Sequence, residues 1–283
     1  MQVRVDWSPP NEFLASLATA VTPVLARHGE MGPAWAARAR KVLTPVQAAA
    51  ATPLPRIQPL VAKSGCRTVP AFMEYLGNLQ PEEWRRARLE GDPRPWLDAL
   101  QAWQDGYFAH VDSDLLRALA EEAASATLRL ATGADPDVIE ELTAGCCIEA
   151  HPDLRQVILV PQYHARPWNL SIFDAGSLTI AYPADVLPPK AGEPPLALLR
   201  SARALGDPSR LRILRLLGAG EMTFTEIAKR SRLAKSTVNH HLVALRAAGL
   251  VRVHMRLDEP DRYSQRDGAI EGIVAATRAY LQA

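Results

Sequence analysis

Between Ala204 and Arg266 the spacing of apolar positions changes character twice. Leu211, Leu214 and Leu217 recur at three-residue spacing with Ile213 on the same side, which predicts an amphipathic helix. Asp207-Pro208 opens it, because Asp caps free N–H groups and Pro at the first helical position loses no needed donor. Gly218 and Gly220 stop it. Thr225 is placed to cap a second helix with Ile227, Ala228 and Leu233 in its core positions. A short polar turn leads to a third helix, Lys235–Ala247, with Val238, Leu242 and Leu245 inward and Gly249 as a left-handed cap. The period then falls to two. Leu250–Arg256 alternates as an outer strand does, Asp258-Glu259-Pro260-Asp261 turns the chain, and Tyr263–Arg266 returns. Helix, helix, turn, helix and a two-stranded wing make the winged helix-turn-helix pattern, whose second turn-helix element enters the major groove of DNA.

The pattern before residue 196 is less regular. Val3–Trp7 predicts a short strand, and Asn11–Val21 and Ala34–Leu43 predict helices. Thr44–Pro70 is rich in proline and reads as irregular, and a helix starts in Pro81–Glu90. Ser113 caps a long helix to about Ala131, with Leu116, Leu119, Ala123, Ala126 and Leu130 on one face. Asp135-Pro136 opens another that runs to about Ala150. Gln156–Val160, Asn169–Phe173 and Ser177–Tyr182 read as strands, with Asp174-Ala175-Gly176 as a hairpin turn. No crossover separates these strands, so antiparallel pairing is expected. The expected fold class is mainly α with small antiparallel β: an α-rich N-terminal domain ending in a small sheet, plus the C-terminal winged helix-turn-helix.

Proline marks the boundary between these parts. Residues 183–195 hold five of the 23 prolines, whereas residues 196–283 hold only Pro208 and Pro260. The expected organisation is a sensor or dimerisation domain over 1–185, an extended linker over 186–195 and a DNA-binding domain over 196–283. Charge divides the chain at the same place. Residues 196–283 carry 15 Lys+Arg and 8 Asp+Glu, a net of +7, while residues 1–195 carry 17 and 23, a net of −6. The formal +1 of the whole chain is therefore the sum of two opposed parts, and only the basic part suits a polyanion.

The outward positions of the third helix are Lys235, Ser236, Thr237, Asn239, His240 and Val243, and all but Val243 can donate or accept hydrogen bonds to base edges or phosphates. His241 lies beside the apolar stripe and reads as half-buried or phosphate-contacting. Arg252, Arg256, Arg262 and Arg266 lie on or near the wing hairpin, and Arg256 and Arg262 are counted with the DNA contacts. Three carboxylates at the tip, Asp258, Glu259 and Asp261, resist insertion into the negative minor groove. The wing is therefore expected to lie along the backbone.

The segments ALGDPSRLRILRLL and FTEIAKRSRLAKSTVNHHLVALRAAGLV, followed by an Arg-rich hairpin, resemble the ArsR/SmtB family of winged-helix repressors. The resemblance covers about 80 of the 283 residues. It implies a homodimer on a pseudo-palindromic operator in double-stranded DNA. It also implies a dimer contact built by the first and last helices of the module, here about Leu196–Leu205 and Gly268–Leu281, with Ile270, Ile273, Val274 and Tyr280 available. The family's metal sites do not carry over. The helix before the recognition helix opens Glu221-Met222-Thr223-Phe224-Thr225-Glu226 without cysteine, and the last helix has no His and one acidic residue, Glu271. The module also follows a long extra region, an arrangement similar to ArsR-like regulators with a large N-terminal domain.

Within that region Tyr163, His164, Arg166 and Trp168 follow a strand and are candidates to line a small-molecule pocket, or to seal the core edge. Cys146, Cys147 and His151 are a weak thiol or metal group, with packing of the cysteines as small hydrophobes as the alternative. Trp84, Trp96, Trp103, Tyr107 and Phe108 form an aromatic core or interface, or else a ligand cage. No phosphate-binding glycine loop, nucleophile elbow, HExxH or CxxC is present, so neither an enzyme activity nor a cofactor is expected. No apolar run reaches the ~18 residues of a membrane span, and the N-terminus lacks a signal-peptide layout. With three cysteines there is no disulfide framework, and a cytoplasmic protein is expected. The expected function is a sequence-specific, dimeric transcriptional repressor whose operator affinity is set by an effector or partner at the N-terminal domain. The alternatives are an enzyme domain with a DNA-binding tail, a thiol- or metal-responsive regulator, and an N-terminal domain that only dimerises.

Overall fold

The computed structural model describes residues 1–51, 57–86, 92–189 and 191–282. The chain opens with β1 (Gln2–Val5), α1 (Pro9–Val21), α2 (Pro23–His28), α3 (Gly32–Ala39), α4 (Pro45–Ala50) and α5 (Gln58–Ser64). It continues with α6 (Val69–Gly77), α7 (Pro81–Arg86), α8 (Arg94–Gly106), α9 (Ser113–Thr132) and α10 (Asp135–Leu142). Strands β2 (Cys146–Ile148), β3 (Gln156–Gln162), β4 (Leu170–Asp174) and β5 (Ser177–Pro183) follow. The C-terminal part adds α11 (Leu196–Leu205), α12 (Pro208–Leu217), β6 (Met222–Thr223), α13 (Phe224–Ser231) and α14 (Lys235–Ala247). It closes with β7 (Val251–Met255), β8 (Arg262–Gln265) and α15 (Ala269–Gln282).

The proline-rich stretch from Thr44 is mostly helical where it is described, with residues 65–68 as a loop. Pro45, Pro59 and Pro70 sit in the first turns of α4, α5 and α6, where a missing N–H costs nothing. Proline content there marks helix starts rather than irregular chain. Residues 52–56 of that stretch, 87–90 of the expected Pro81–Glu90 helix, and residue 190 of the expected linker lie outside the described residues.

The contacts divide the chain into two compact units, and the division is not contiguous. One comprises 1–128 and 155–186, the other 129–154 and 187–283. The segment 129–154, expected in the N-terminal domain, thus belongs with the C-terminal module.

The first unit has a helical core of Phe13, Leu17, Phe72, Leu76, Leu100 and Trp103, all fully buried. Trp84 and Trp96 meet edge to face at 5.8 Å, and Trp103 stacks on Tyr107 at 4.5 Å, so these aromatics build core. Its sheet has the order β1-β3-β5-β4. Here β3 runs parallel to both β1 and β5, and only β4 and β5 pair antiparallel. The expectation of an all-antiparallel sheet therefore fails. The hairpin places β5 between its own partner β4 and the earlier β3, so the loop after β3 crosses the end of β5.

The second unit packs Ile213, Leu214, Leu217, Ile227, Val238, Leu242 and Leu245 around one core. Its sheet has the order β2-β7-β8-β6, with β7 and β8 antiparallel as the wing. Strand β2 adds parallel to β7, with Cys146 opposite Val253. Residues 146–148 are therefore strand, where a helix to about Ala150 was expected. Ala144 and Gly145 take positive φ of 53° and 119° and turn the chain out of α10. A Cβ at Gly145 would lie 2.5 Å from the carbonyl oxygen of Val251, so only glycine lets β2 approach β7 there. No helix among the described residues is long and apolar enough to cross a membrane.

Candidate functional site

The three helices from Pro208 to Ala247 begin differently. Asp207 caps α12, accepting from the N–H groups of Ser209 (2.7 Å) and Arg210 (3.1 Å). Thr223, not the expected Thr225, caps α13 in a reciprocal box with Glu226. Helix α14 starts after Ala234, which has no capping side chain. Such an uncapped start forgoes about 1 kcal/mol and leaves the first N–H groups available to an outside acceptor.

The outer face of α14 is polar. Lys235, Ser236 and Asn239 are exposed and Thr237 is half-buried. None of the four side chains makes a hydrogen bond or ion pair among the described residues. His240 is exposed and lies 5.9 Å, ring to ring, from His241. His241 itself is buried, and its Nδ1 has no hydrogen-bond partner among the described residues. Burial holds its pKa below the usual histidine value, against the opposing pull of the Asp207 carboxylate. It therefore belongs to the supporting layer under α14 rather than to its outer face.

The wing is arranged in the opposite way, with all four of its arginines paired. Arg252 donates from Nε to Glu140 (2.9 Å) and from Nη1 to Asp267 (2.9 Å). Arg266 donates from Nε to the same Glu140 oxygen at 3.0 Å. Arg256 donates to Glu149 (2.7 Å) and also binds Glu259. Arg262 faces Glu221 at 3.5 Å and donates to its carbonyl oxygen at 3.1 Å. Burial alone would raise the Glu140 carboxyl, but the bonds from Arg252 and Arg266 outweigh it and hold its pKa below the usual range. Glu140 and Glu149 come from the 129–154 segment, and Glu140 did not stand out in the sequence.

The cysteines and His151 do not converge. Cys146 is buried in β2, while Cys147 Sγ lies 3.5 Å from Glu140, and burial together with that carboxylate pushes its thiol up to about 11. His151 instead meets Asp258 of the wing tip at 2.6 Å. Among the described residues no group of three or more His, Cys, Asp or Glu could hold a metal ion.

The four residues expected at a pocket are bound up in the first unit's own structure. His164 is buried, its Nδ1 2.5 Å from the fully buried Glu12 carboxylate and its Nε2 2.7 Å from Tyr107 Oη. Glu12 also accepts the backbone N–H groups of Tyr163 (3.0 Å) and His164 (2.9 Å). Trp35 Nε1 donates to Tyr107 Oη at 3.1 Å, and burial pushes the Tyr107 phenol up to about 12. Arg166 stacks 3.7 Å over the Tyr163 ring and donates to Asp185 at 2.7 Å. The Trp168 carbonyl accepts from Gln162 at 3.0 Å. These bonds tie the loop to α1 and to the end of the sheet, while Trp168 Nε1 is buried without a hydrogen-bond partner among the described residues.

Residues 205–254 match a protein family described as a helix-turn-helix domain. With the α12–α14 helices and the β7–β8 hairpin, that match decides the module. The C-terminal module is a winged helix-turn-helix domain. Over 54 residues it is 37% identical to the transcriptional repressor SdpR of Bacillus subtilis (strain 168). That match covers 19% of this chain and 60% of SdpR, so the chain spans about three fifths of that relative's length. Solved structures similar to it include NolR from Sinorhizobium fredii, 28% identical, covering 34% of this chain and 97% of that one, with a TM-score of 0.27. Another is the homodimeric winged helix-turn-helix domain of a possible ArsR-family regulator from Mycobacterium bovis. It is 26% identical, covers 29% of this chain and 77% of that one, and has a TM-score of 0.25.

Proposed function

We propose that this protein is a sequence-specific DNA-binding transcriptional regulator, a dimeric repressor whose operator affinity is set by an effector at its N-terminal unit. The observation that carries the reading is α14, a helix with an uncapped start on whose outer face Lys235, Ser236, Thr237 and Asn239 make no side-chain hydrogen bond or ion pair among the described residues. Helices of a helix-turn-helix spend such a face on base edges and phosphates. Lys235 and the first N–H groups suit phosphates. Ser236, Thr237, Asn239 and His240 suit base edges. Arg256 and Arg262 contribute less, because their charges already have carboxylate partners.

Dimerisation is supported by α15, which buries no residue, and by the exposure of Ile270 (40%), Val274 (44%) and Leu196 (40%). An amphipathic helix with its apolar side in water calls for a partner, and a second copy places two α14 helices on one pseudo-palindrome. A cytoplasmic location follows from the DNA target. We read the N-terminal unit as a binding domain without enzymatic activity. The Glu12–His164–Tyr107 chain resembles an acid–base relay, but its members are spent on one another and on backbone N–H groups.

Selection of genomic fragments by the purified full-length protein tests the proposal. The expected result is an inverted repeat, bound with an affinity that falls steeply with salt. Recovery of no common sequence, with weak binding at every salt concentration, contradicts it.

A further inference from the structure

The first unit contains a cavity of about 380 Å³ between α1, α2 and the sheet. Its sheet side is a row across three strands, in which Val160 pairs with Ala181 and Ala181 with Leu170, with Ile172 two residues along β4. Its helical side is Leu14, Ala15 and Ala18 of α1 with Leu25 of α2. Ala15, Ala18 and Ala181 carry a methyl group where a filled core would carry Leu or Ile, and these small residues create the space. Val24, 52% exposed, and the exposed Ser171 line its solvent end. Protein interiors are close-packed, so a space of this size beside the core sets this part of the unit apart. The volume falls in the range of about 300–1,000 Å³ typical of small-molecule sites.

The lining fixes the class of occupant. No lining residue is ionisable. A charged ligand would leave water and meet no counter-charge, which excludes it. The polar equipment is side-chain amide and hydroxyl. Gln162 is spent, its Nε2 on the Trp168 carbonyl and its Oε1 on the Ala165 N–H. Gln58 donates from Nε2 to Asn11 Oδ1 at 2.8 Å, and Asn11 Nδ2 in turn donates to Ser8 Oγ at 3.3 Å. That chain orients the Gln58 carboxamide and leaves its Oε1 without a protein partner among the described residues. The site thus offers an apolar chamber with Gln58 Oε1 as an oriented acceptor, beside the side chains of Thr22, Asn169 and Ser171.

We infer that this cavity binds a neutral, largely apolar small molecule carrying an N–H or O–H group, which donates to Gln58 Oε1. As the seat of effector control the inference rests on the proposed function, while the binding itself does not. The test uses the full chain and two fluorophores with the same rings. N-phenyl-1-naphthylamine is neutral and has one N–H, and 8-anilinonaphthalene-1-sulfonate adds a negative charge. The neutral probe is expected to fill one saturable site and the anion to bind at least tenfold more weakly. Ala18→Phe and Ile172→Trp, which fill the chamber from opposite walls, should each weaken the neutral probe at least tenfold, and Gln58→Leu about fivefold. If Ala18→Phe does not fold, Ile172→Trp on the half-exposed edge strand decides. No saturable site, equal binding of the anion, or undiminished binding in folded chamber-filling variants overturns the inference. A parallel titration of selected DNA separates the two ideas. Saturable probe binding that leaves DNA affinity unchanged supports the site and removes its effector role. Loss of probe binding in Ile172→Trp with DNA binding intact supports both the site and the independent DNA reader.

Discussion

Helix α14 and the wing lie in the same small unit, and both are rich in groups that suit a phosphate backbone. They differ in what those groups already do. Four wing arginines end on carboxylates, two of which, Glu140 and Glu149, arrive from a segment about a hundred residues earlier in the chain. Lys235, Ser236 and Asn239 end on nothing among the described residues. A count of basic residues treats the two surfaces as equal, but availability separates them. The wing is built to be held in place, with β2 as an extra strand on its edge, and α14 is built to be used.

The largest expected effect falls on α14. Ser236→Ala with Asn239→Ala should weaken binding to selected DNA by about thirtyfold or more, from about 1–3 kcal/mol for each of the two lost base contacts, with little change on random DNA. Equal losses on both, measured by fluorescence anisotropy, would move the base readers elsewhere.

Next comes the clamp on the wing. Glu140→Ala strands Arg266 and leaves Arg252 only Asp267, and should destabilise the second unit by about 2 kcal/mol, read from its urea midpoint. The same carboxylate sets a pH dependence. Its folded pKa lies below the ordinary carboxylate value of 4.5. Its contribution is therefore complete above that value and is lost as pH falls through the lower folded one. Glu140→Gln should flatten this acid limb, and an unchanged limb would show that other groups set it. Gly145→Ala tests the clamp from the backbone side, since its Cβ would meet the Val251 carbonyl. It should expose the β7 edge to hydrogen exchange.

A smaller effect separates the two kinds of cation. Lys235→Ala should lower the slope of log affinity against log salt by about 0.9, and Arg262→Ala by less, because Glu221 already offsets its charge. A larger loss for Arg262 would reverse the ranking of the two surfaces. The smallest effect belongs to Cys147→Ser, expected to leave DNA binding unchanged. With a thiol pushed up to about 11, wild-type Cys147 should react slowly with iodoacetamide at neutral pH.

How much of this was legible in the sequence follows from the range of each interaction. Helices α12 and α14 are set by local periodicity and punctuation, and their limits agree with the reading to within a residue, whereas the limits of α11 came from the family resemblance. The cap of α13 shifted from Thr225 to Thr223 because Glu226 lies three residues after Thr223, a local signal that was present and passed over. Proline misled between Thr44 and Pro70, where it starts helices. Parallel pairing of β3 with β5, and of β2 with β7, depends on contacts across the chain that no periodicity encodes. The same holds for the candidate sites. The outer face of α14 could be read from spacing alone, whereas the pairing of Arg256 and Arg262 could not. Tyr163–Trp168 has the composition of a pocket, and its anchoring by the fully buried Glu12, 151 residues from Tyr163, was not legible there.

The most direct test of the central claim is a salt titration of wild-type and Ser236→Ala/Asn239→Ala protein on DNA recovered by genomic selection, with a random duplex alongside. The account predicts parallel salt slopes for the two proteins and an affinity gap on the selected sequence that vanishes on the random one. The same gap on both duplexes, or none on either, would contradict α14 as the element that reads sequence.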